Sequence, residues 1–322
     1  VFDYSATNLL QMIRDDAYVG TSTRDWPDAA ILRLINRKVD SYLVPMIISA
    51  RKNHFATFLD QTIVAGQAAY FLPSAAIGMK ARAIQLVDAS GNAYGELVEA
   101  ELEDVINWGA SLAGGSIAQG TPTRYYWRGN QVVLYPVPGA GMPALKLRVY
   151  FLNRPSTLVP NASCCQISSA AGADLGNGTF QLSVASVVAG YPNGTAVDLV
   201  QNVPGFDILA TGTITAQTGN TLTITGSLPV GFAMGDWIVT TGNAPVITGA
   251  IPEIVLDCLI SSCALKMMNA KADNDAFNRS RGLLSTAEKS AKEFLNRRNT
   301  GDRQTAGGGG LQRFRGGRVG NC

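Results

Sequence analysis

Residues 121–152 read TPTRYYWRGNQVVLYPVPGAGMPALKLRVYFL, and this stretch decides the fold class. Two runs within it, 125–135 and 145–152, are rich in Tyr, Val and Leu, residue types that fit a pleated, half-buried surface. A Pro/Gly loop over 136–143 joins the runs, and Arg128-Gly129-Asn130 places a turn inside the first. The stretch predicts two strands that carry an aromatic row, Tyr125, Tyr126, Trp127 and Tyr135.

Upstream, strands are expected over 58–64 and 70–73. A hairpin is expected where 81–87 and 93–98 flank Ser90-Gly91-Asn92, because Gly and Asn tolerate positive φ. Nearer the start the period becomes helical. Residues 5–17 carry Leu9, Leu10, Met12 and Ile13 on one face, with Ser5 or Thr7 as N-cap. A second helix opens at Pro27, with Asp25 as candidate N-cap, and carries Ile31, Leu34, Ile35, Val39, Leu43 and Met46. Pro45 is expected to kink or end it, since proline lacks the amide hydrogen and crowds the preceding turn. A short helix is expected over 99–108, with Glu96, Glu99, Glu101, Glu103 and Asp104 near its N-terminus.

Downstream, prolines at 155 and 160 mark a boundary, after which Gly, Thr, Ser, Val and Asn dominate. Short strands over 180–188, 196–200, 208–217, 221–225 and 236–241 predict a small all-β barrel or sandwich. The helical period returns at Pro252. Ile254, Leu256, Leu259, Ile260, Cys263, Leu265, Met267 and Met268 are too dense for a one-sided helix, so this helix is expected to be buried on most sides. A more polar helix over 278–296 follows, with Leu283, Leu284, Ala287, Ala291, Phe294 and Leu295 inward. Residues 300–322 are Gly- and Arg-rich and are expected to order only on binding. The fold class is therefore α+β. The N- and C-terminal helices form a bundle, a β region leads out of it, and an all-β domain is inserted. The expected division is a core of 1–160 with 250–298, an insert of 161–249, and a flexible basic tail of 299–322.

The chain has 322 residues, of which 46% are hydrophobic and 16% charged, with a net charge of +2. That balance is too weak to mark the whole molecule as nucleic-acid-binding. The single histidine, His54, excludes His-based triads and multi-His metal centres, and no GxxxxGK[ST] phosphate loop is present. No catalytic residue, metal site or cofactor is expected. Cys164, Cys165, Cys258, Cys263 and Cys322 lack metal-ligand spacing and read as reduced thiols. No apolar run is long enough to span a bilayer, and no signal peptide is visible. The aromatic row is open to use as a stacking platform for sugars or bases, but strand and interface use fits it better. Basic residues gather late, at Arg297, Arg298, Arg303, Arg313, Arg315 and Arg318 against Asp302. Phe314 between Arg313 and Arg315 favours docking into a partner, because an apolar anchor gains little in free solution.

Three segments carry a resemblance. They are Gly120-Thr121-Pro122-Thr123-Arg124-Tyr125, Leu134-Tyr135-Pro136-Val137-Pro138, and a strand ending in Tyr150-Phe151-Leu152-Asn153-Arg154-Pro155. With the helix region from Trp26-Pro27-Asp28 and the helix return at Ile251-Pro252-Glu253, the chain resembles the head-to-tail adaptor (connector) proteins of tailed, particularly short-tailed, bacteriophages. The resemblance covers 26–158 and 251–298, and residues 161–249 depart from it. It implies a ring of about twelve copies beneath the capsid portal, closed by rotational symmetry. The ring would continue the DNA channel, with tail machinery on its far face. It implies as partners the portal protein, tail or nozzle proteins, further copies of the chain, and genomic DNA passing without sequence specificity, but no membrane. The location implied is the virion head–tail junction, after assembly in the host cytoplasm. Arg297, Arg298, Arg313, Arg315 and Arg318, with Phe314 as apolar anchor, are then the portal-binding candidates, with DNA phosphate contact as their alternative. Tyr125, Trp127 and Tyr135 are the candidates for contact with neighbouring protein. The rival readings are another virion component (tail-tube, baseplate or minor capsid subunit) and a carbohydrate-binding module.

Overall fold

The computed structural model describes residues 5–19, 26–101, 104, 119–169, 172–187, 191–202, 207–248, 251–269 and 274–308. Contacts group the chain into two units, Val1–Lys52 with Pro155–Cys322, and Asn53–Arg154.

In the first unit, helices from both ends of the chain pack together. They are α1 (Ala6–Asp16), α2 (Asp28–Lys38), α3 (Val44–Ala50), α4 (Glu253–Asn269) and α5 (Asn274–Gly308). Ser5 caps α1, its hydroxyl accepting from the Asn8 amide at 3.5 Å. Leu9 and Ile13 of α1, and Ile31 and Ile35 of α2, are fully buried. Arg14, in the last turn of α1, donates to the Asp28 carboxylate (2.6 Å) and the Trp26 carbonyl (2.8 Å), tying α1 to the first turn of α2. Asp25 lies outside the described residues; Pro27 occupies the N-cap position of α2. The helix does not end at Pro45. A π-helical turn, Val39–Leu43, precedes it, and the Val44 amide donates to the Val39 carbonyl five residues back. The wider turn makes room where the proline ring would meet a carbonyl, and the chain stays helical to Ala50. Helix α4 is buried on most sides, as its apolar density predicts: Val255, Leu259, Cys263 and Met267 are sealed, while Asp257 and Lys266 stay exposed. The final helix runs twelve residues beyond its expected end at 296. Arg, Gln and Ala sustain it across Gly301, and it stops at the glycine pair 307–308. Residues 309–322 lie outside the described residues.

The second unit holds β1 (Ala56–Thr62), β2 (Ala69–Phe71), β3 (Ala76–Val87), β4 (Ala93–Glu96), β5 (Val98–Glu99), β6 (Gln119–Gly120), β7 (Arg124–Arg128), β8 (Gln131–Tyr135), β9 (Val137–Pro138) and β10 (Lys146–Asn153). Two four-stranded sheets, ordered β1-β10-β3-β4 and β2-β8-β7-β5, and the short parallel pair β6-β9 result. The stretch 121–152 gives four strands rather than two, β7, β8 and β10 in the four-stranded sheets and β9 in the parallel pair. Its first run folds back at Gly129 (φ +63°) into the β7–β8 hairpin, while the second run, as β10, belongs to the other sheet. Tyr125, Val132 and Leu134 from one sheet meet Leu147, Val149 and Ile84 from the other in one core. The β3–β4 hairpin forms as expected, with Gly91 at φ +87° and the Asn92 amide bonded to Asp88 at 2.8 Å. Glu96 and Glu99 sit on strands, not at a helix start. The rest of the expected 99–108 helix falls outside the described residues, apart from Ala100, Glu101 and a helical Asp104.

Returning to the first unit, β11 (Thr157–Leu158), β12 (Cys165–Gln166), β13 (Ala173–Asp174), β14 (Thr179–Ser183), β15 (Ala196–Val200), β16 (Ile208–Thr218), β17 (Thr221–Thr225), β18 (Trp237–Thr240) and β19 (Asn243–Ala244) follow. Seven of them form one antiparallel sheet, ordered β12-β18-β15-β16-β17-β14-β13. The long β16 carries a register shift between Ile214 and Ala216, and side chains from both halves of the sheet share one core around Phe180, Leu199, Ile214 and Ile224. Among the described residues no barrel closes, which corrects the barrel reading. Strands β12 and β13 have two residues each, too short to seal the ends. A lone antiparallel bridge, Ile167↔Val184, joins the two halves. Before and after this sheet the chain passes through the parallel pair β11·β19. Asn36 of α2 holds β11 by accepting from the Leu158 amide (2.8 Å) and donating to its carbonyl (2.9 Å).

Candidate assembly surfaces

Strand alternation puts Tyr125 and Trp127 on one face of β7, and that face is turned to the core. Tyr125 is 8% exposed. Its hydroxyl donates to Glu99 on the adjoining β5 at 3.3 Å, and burial, reinforced by that carboxylate, pushes the phenol up to about 12. Trp127 is half-buried and meets Tyr125 edge to face, centroids 5.7 Å apart at 87°. Both rings face the core, which leaves little open ring face on which a sugar could stack. Tyr135, also half-buried, lies opposite Arg124 across the hairpin.

The outer surface of this unit is unusually apolar. Phe58, Leu59, Val64, Phe71, Tyr94 and Val98 are all exposed, Phe71 and Val98 by 61% each. They are spread over β1, β2, β4, β5 and the loop after β1, all within 53–154. Phe58 is positioned rather than loose. Arg148 of β10 grips both carboxylate oxygens of Asp60 at 2.7 Å and lies over the Phe58 ring, 4.3 Å from its centroid. It also reaches the Gly91 carbonyl at 3.2 Å. The bonds from Arg148 hold the Asp60 carboxyl below its ordinary range. Strand β1 is an edge strand, and among the described residues nothing pairs with its outer side.

In the seven-stranded sheet, the loop before β18 presents Val230 (97% exposed) and Met234 (64%). The buried Asp236 shapes it, accepting from the Asn202 amide at 2.8 Å and the Ala233 amide at 2.7 Å. Asp198, on β15, is buried and accepts from the Gly242 amide at 2.9 Å; burial pushes its carboxyl up. Cys164, Cys165, Cys258 and Cys263 are buried free thiols.

In the helical bundle a cleft of about 690 Å³ opens between α1, α4 and α5. Met12, Ile254, Ile260, Leu283 and Ala287 give it an apolar lining, and Asp15, Asp16 and Asp257 add three carboxylates. Burial, with the charges of Asp15 and Asp257, raises the Asp16 carboxyl above its ordinary value. Sequence reading missed this site. One signal was there: Asp15 and Asp16 end α1, where the helix dipole disfavours negative charge. Of the basic candidates, Arg297 and Arg298 lie on the helical path of α5, whereas Arg313, Phe314, Arg315 and Arg318 lie outside the described residues.

The model of the SU10 adaptor protein family matches residues 4–181, more than half of the chain. The chain belongs to that family, the phage head–tail adaptors, and its role is that of a virion structural protein. The match takes in α1 to α3, the whole β region, and the seven-stranded sheet as far as β14. A comparison with curated proteins returns no match. Among the described residues, no helix is long and apolar enough to cross a membrane.

Proposed function

We propose that this chain forms a ring of about twelve copies that joins the capsid portal to the tail and continues the DNA channel. The observation that carries the reading is the adaptor-family match over residues 4–181. The exposed apolar side chains of 53–154 support contact between copies, with the half-buried Trp127 and Tyr135 as further candidates for it. The Val230–Met234 loop is suited to a tail or nozzle protein, because an apolar tip held by a buried Asp236 keeps its shape before binding. The portal contact is assigned to the basic C-terminal end that begins with Arg297 and Arg298. A body with 16% charged residues suits a conduit through which DNA must slide.

The test is co-purification of the full chain with a portal ring, followed by imaging of the complex. Twelvefold density between portal and tail is expected. Sixfold or threefold density, or binding to the tail alone, would overturn the adaptor reading in favour of a tail-tube or baseplate role.

A further inference from the structure

The cleft between α1, α4 and α5 has a composition that specifies its occupant. An apolar lining with three carboxylates suits a segment that carries an apolar anchor between cations. Its volume lies in the range of sites that enclose a ligand of drug-like size. Asp15 and Asp16 stand at the C-terminal end of α1, against the helix dipole, so an incoming cation gains more there than at an ordinary surface carboxylate. One segment of this sequence has the complementary order, Arg313-Phe314-Arg315, and no other aromatic residue in the chain is flanked on both sides by arginine.

Chain length decides whose segment it is. Helix α5 contributes Leu283, Thr286, Ala287 and Ser290 to the cleft and then continues to Gly308. Ser290, the lining residue nearest the helix end, stands about 27 Å from Gly308 at the helical rise. From Gly308, the six residues to Phe314 span at most about 21 Å when fully extended. The chain therefore cannot fold back into its own cleft. We propose that the cleft receives Arg313-Phe314-Arg315 from a neighbouring copy, so that each subunit is strapped to the next. Repeated around a ring, this head-to-tail exchange closes on itself, and each strap adds to the direct contact between copies through high effective concentration. The inference rests on the ring reading only for the presence of a neighbour. It gives these residues to subunit linkage and leaves the portal contact to the region of Arg297 and Arg298.

The test uses the full chain with the photoreactive residue p-benzoylphenylalanine replacing Phe314. Assembly is followed by native mass, with and without a portal ring, and attachment sites are mapped after illumination. The expected result is covalent dimers and longer ladders, attached in α1, α4 or α5 at the cleft. Asp16→Lys with Asp257→Lys should cut the dimer yield at least tenfold, and adding Arg313→Asp with Arg315→Asp should restore it. Attachment within one chain, to another surface or to the portal, or a yield unmoved by charge reversal, overturns the strap. If assembly persists in that case, the ring reading stands while the strap falls. If no multi-copy assembly forms even with the portal ring present, both fall.

Discussion

Replacing Gly212 with alanine tests whether the seven-stranded sheet is as tightly built as its geometry states. A Cβ at Gly212 would sit 2.5 Å from Ile224 Cγ2 and 2.6 Å from the Thr225 carbonyl oxygen. Ordinary contact begins near 3.4 Å, so β16 and β17 must part by most of an ångström or the fully buried Ile224 must leave its place. The carbonyl is main chain and cannot rotate aside. Overpacking of this kind costs about 1–3 kcal/mol, and two simultaneous clashes, one with backbone, put Gly212→Ala at the upper end. Reduced freedom of the unfolded chain returns about 0.4–1 kcal/mol. The net loss is about 2 kcal/mol, or roughly a thirtyfold rise in the opening constant of the sheet. Gly95→Ala on β4 is the matched control, because nothing lies within 4 Å of its added Cβ. Hydrogen exchange read by peptide is the suitable assay, since a chain of two units need not unfold in one step. Peptides over β14, β16 and β17 should lose protection about thirtyfold in Gly212→Ala while those over α4 do not change. Equal protection in the two variants would refute the packing argument.

Four further outcomes are expected. Burial raises the folded-state pKa of Asp198 above its ordinary 3.8, so the folded sheet binds that proton more tightly than the unfolded chain does. Its contribution is complete below the unfolded pKa and is lost as pH rises through the folded value; denaturant midpoints for the sheet should rise on acidification from pH 7, and less so in Asp198→Asn. Asp60, lowered by Arg148, runs the other way: its contribution is present above 3.8 and is lost as pH falls through the lower folded value, so exchange protection across β1 and β10 should weaken only in strong acid. Phe71→Asp with Val98→Asp changes side chains that are each 61% exposed, so stability should move by less than about 0.5 kcal/mol per site while native mass shows assembly weakened at least tenfold. Val230→Asp with Met234→Asp should leave ring mass and melting unchanged and abolish capture of the tail protein in pull-down; retained capture would remove that loop from the tail contact.

What the sequence made legible was local. The apolar density of α4 announced its burial, and Ser90-Gly91-Asn92 announced the β3–β4 hairpin, because both signals depend on neighbouring residues alone. Strands 196–200 and 221–225 were readable residue for residue from their turns. The division of 121–152 between two sheets was not, since β10 pairs with β1 and β3, dozens of residues away. Nor was the inward turn of Tyr125: alternation groups it with Trp127 but does not say which face of the hairpin is covered. The π-turn before Pro45 was hidden because a proline in a helical pattern states the problem and not its solution. The acidic cleft joins Asp16 to Asp257 and Leu283, so only tertiary structure brings it together, although the misplaced charge at the end of α1 hinted at it.

The parallel pair β11·β19 has a wider consequence. Thr157 stands beside Asn243 and Leu158 beside Ala244, so the chain leaves for the seven-stranded sheet and returns from it through adjacent threads. Neighbouring strands lie about 4.8 Å apart, a gap that a few residues can bridge. The helices on either side would keep their register with a short link in place of everything between. Asn36 holds the outgoing thread from α2, while Ala244 of the returning thread packs with Val200 and Val239 of the sheet. Such a doorway is suited to inheritance by exchange. A lineage could lengthen or trim the chain between these two threads while leaving the helices on either side in place.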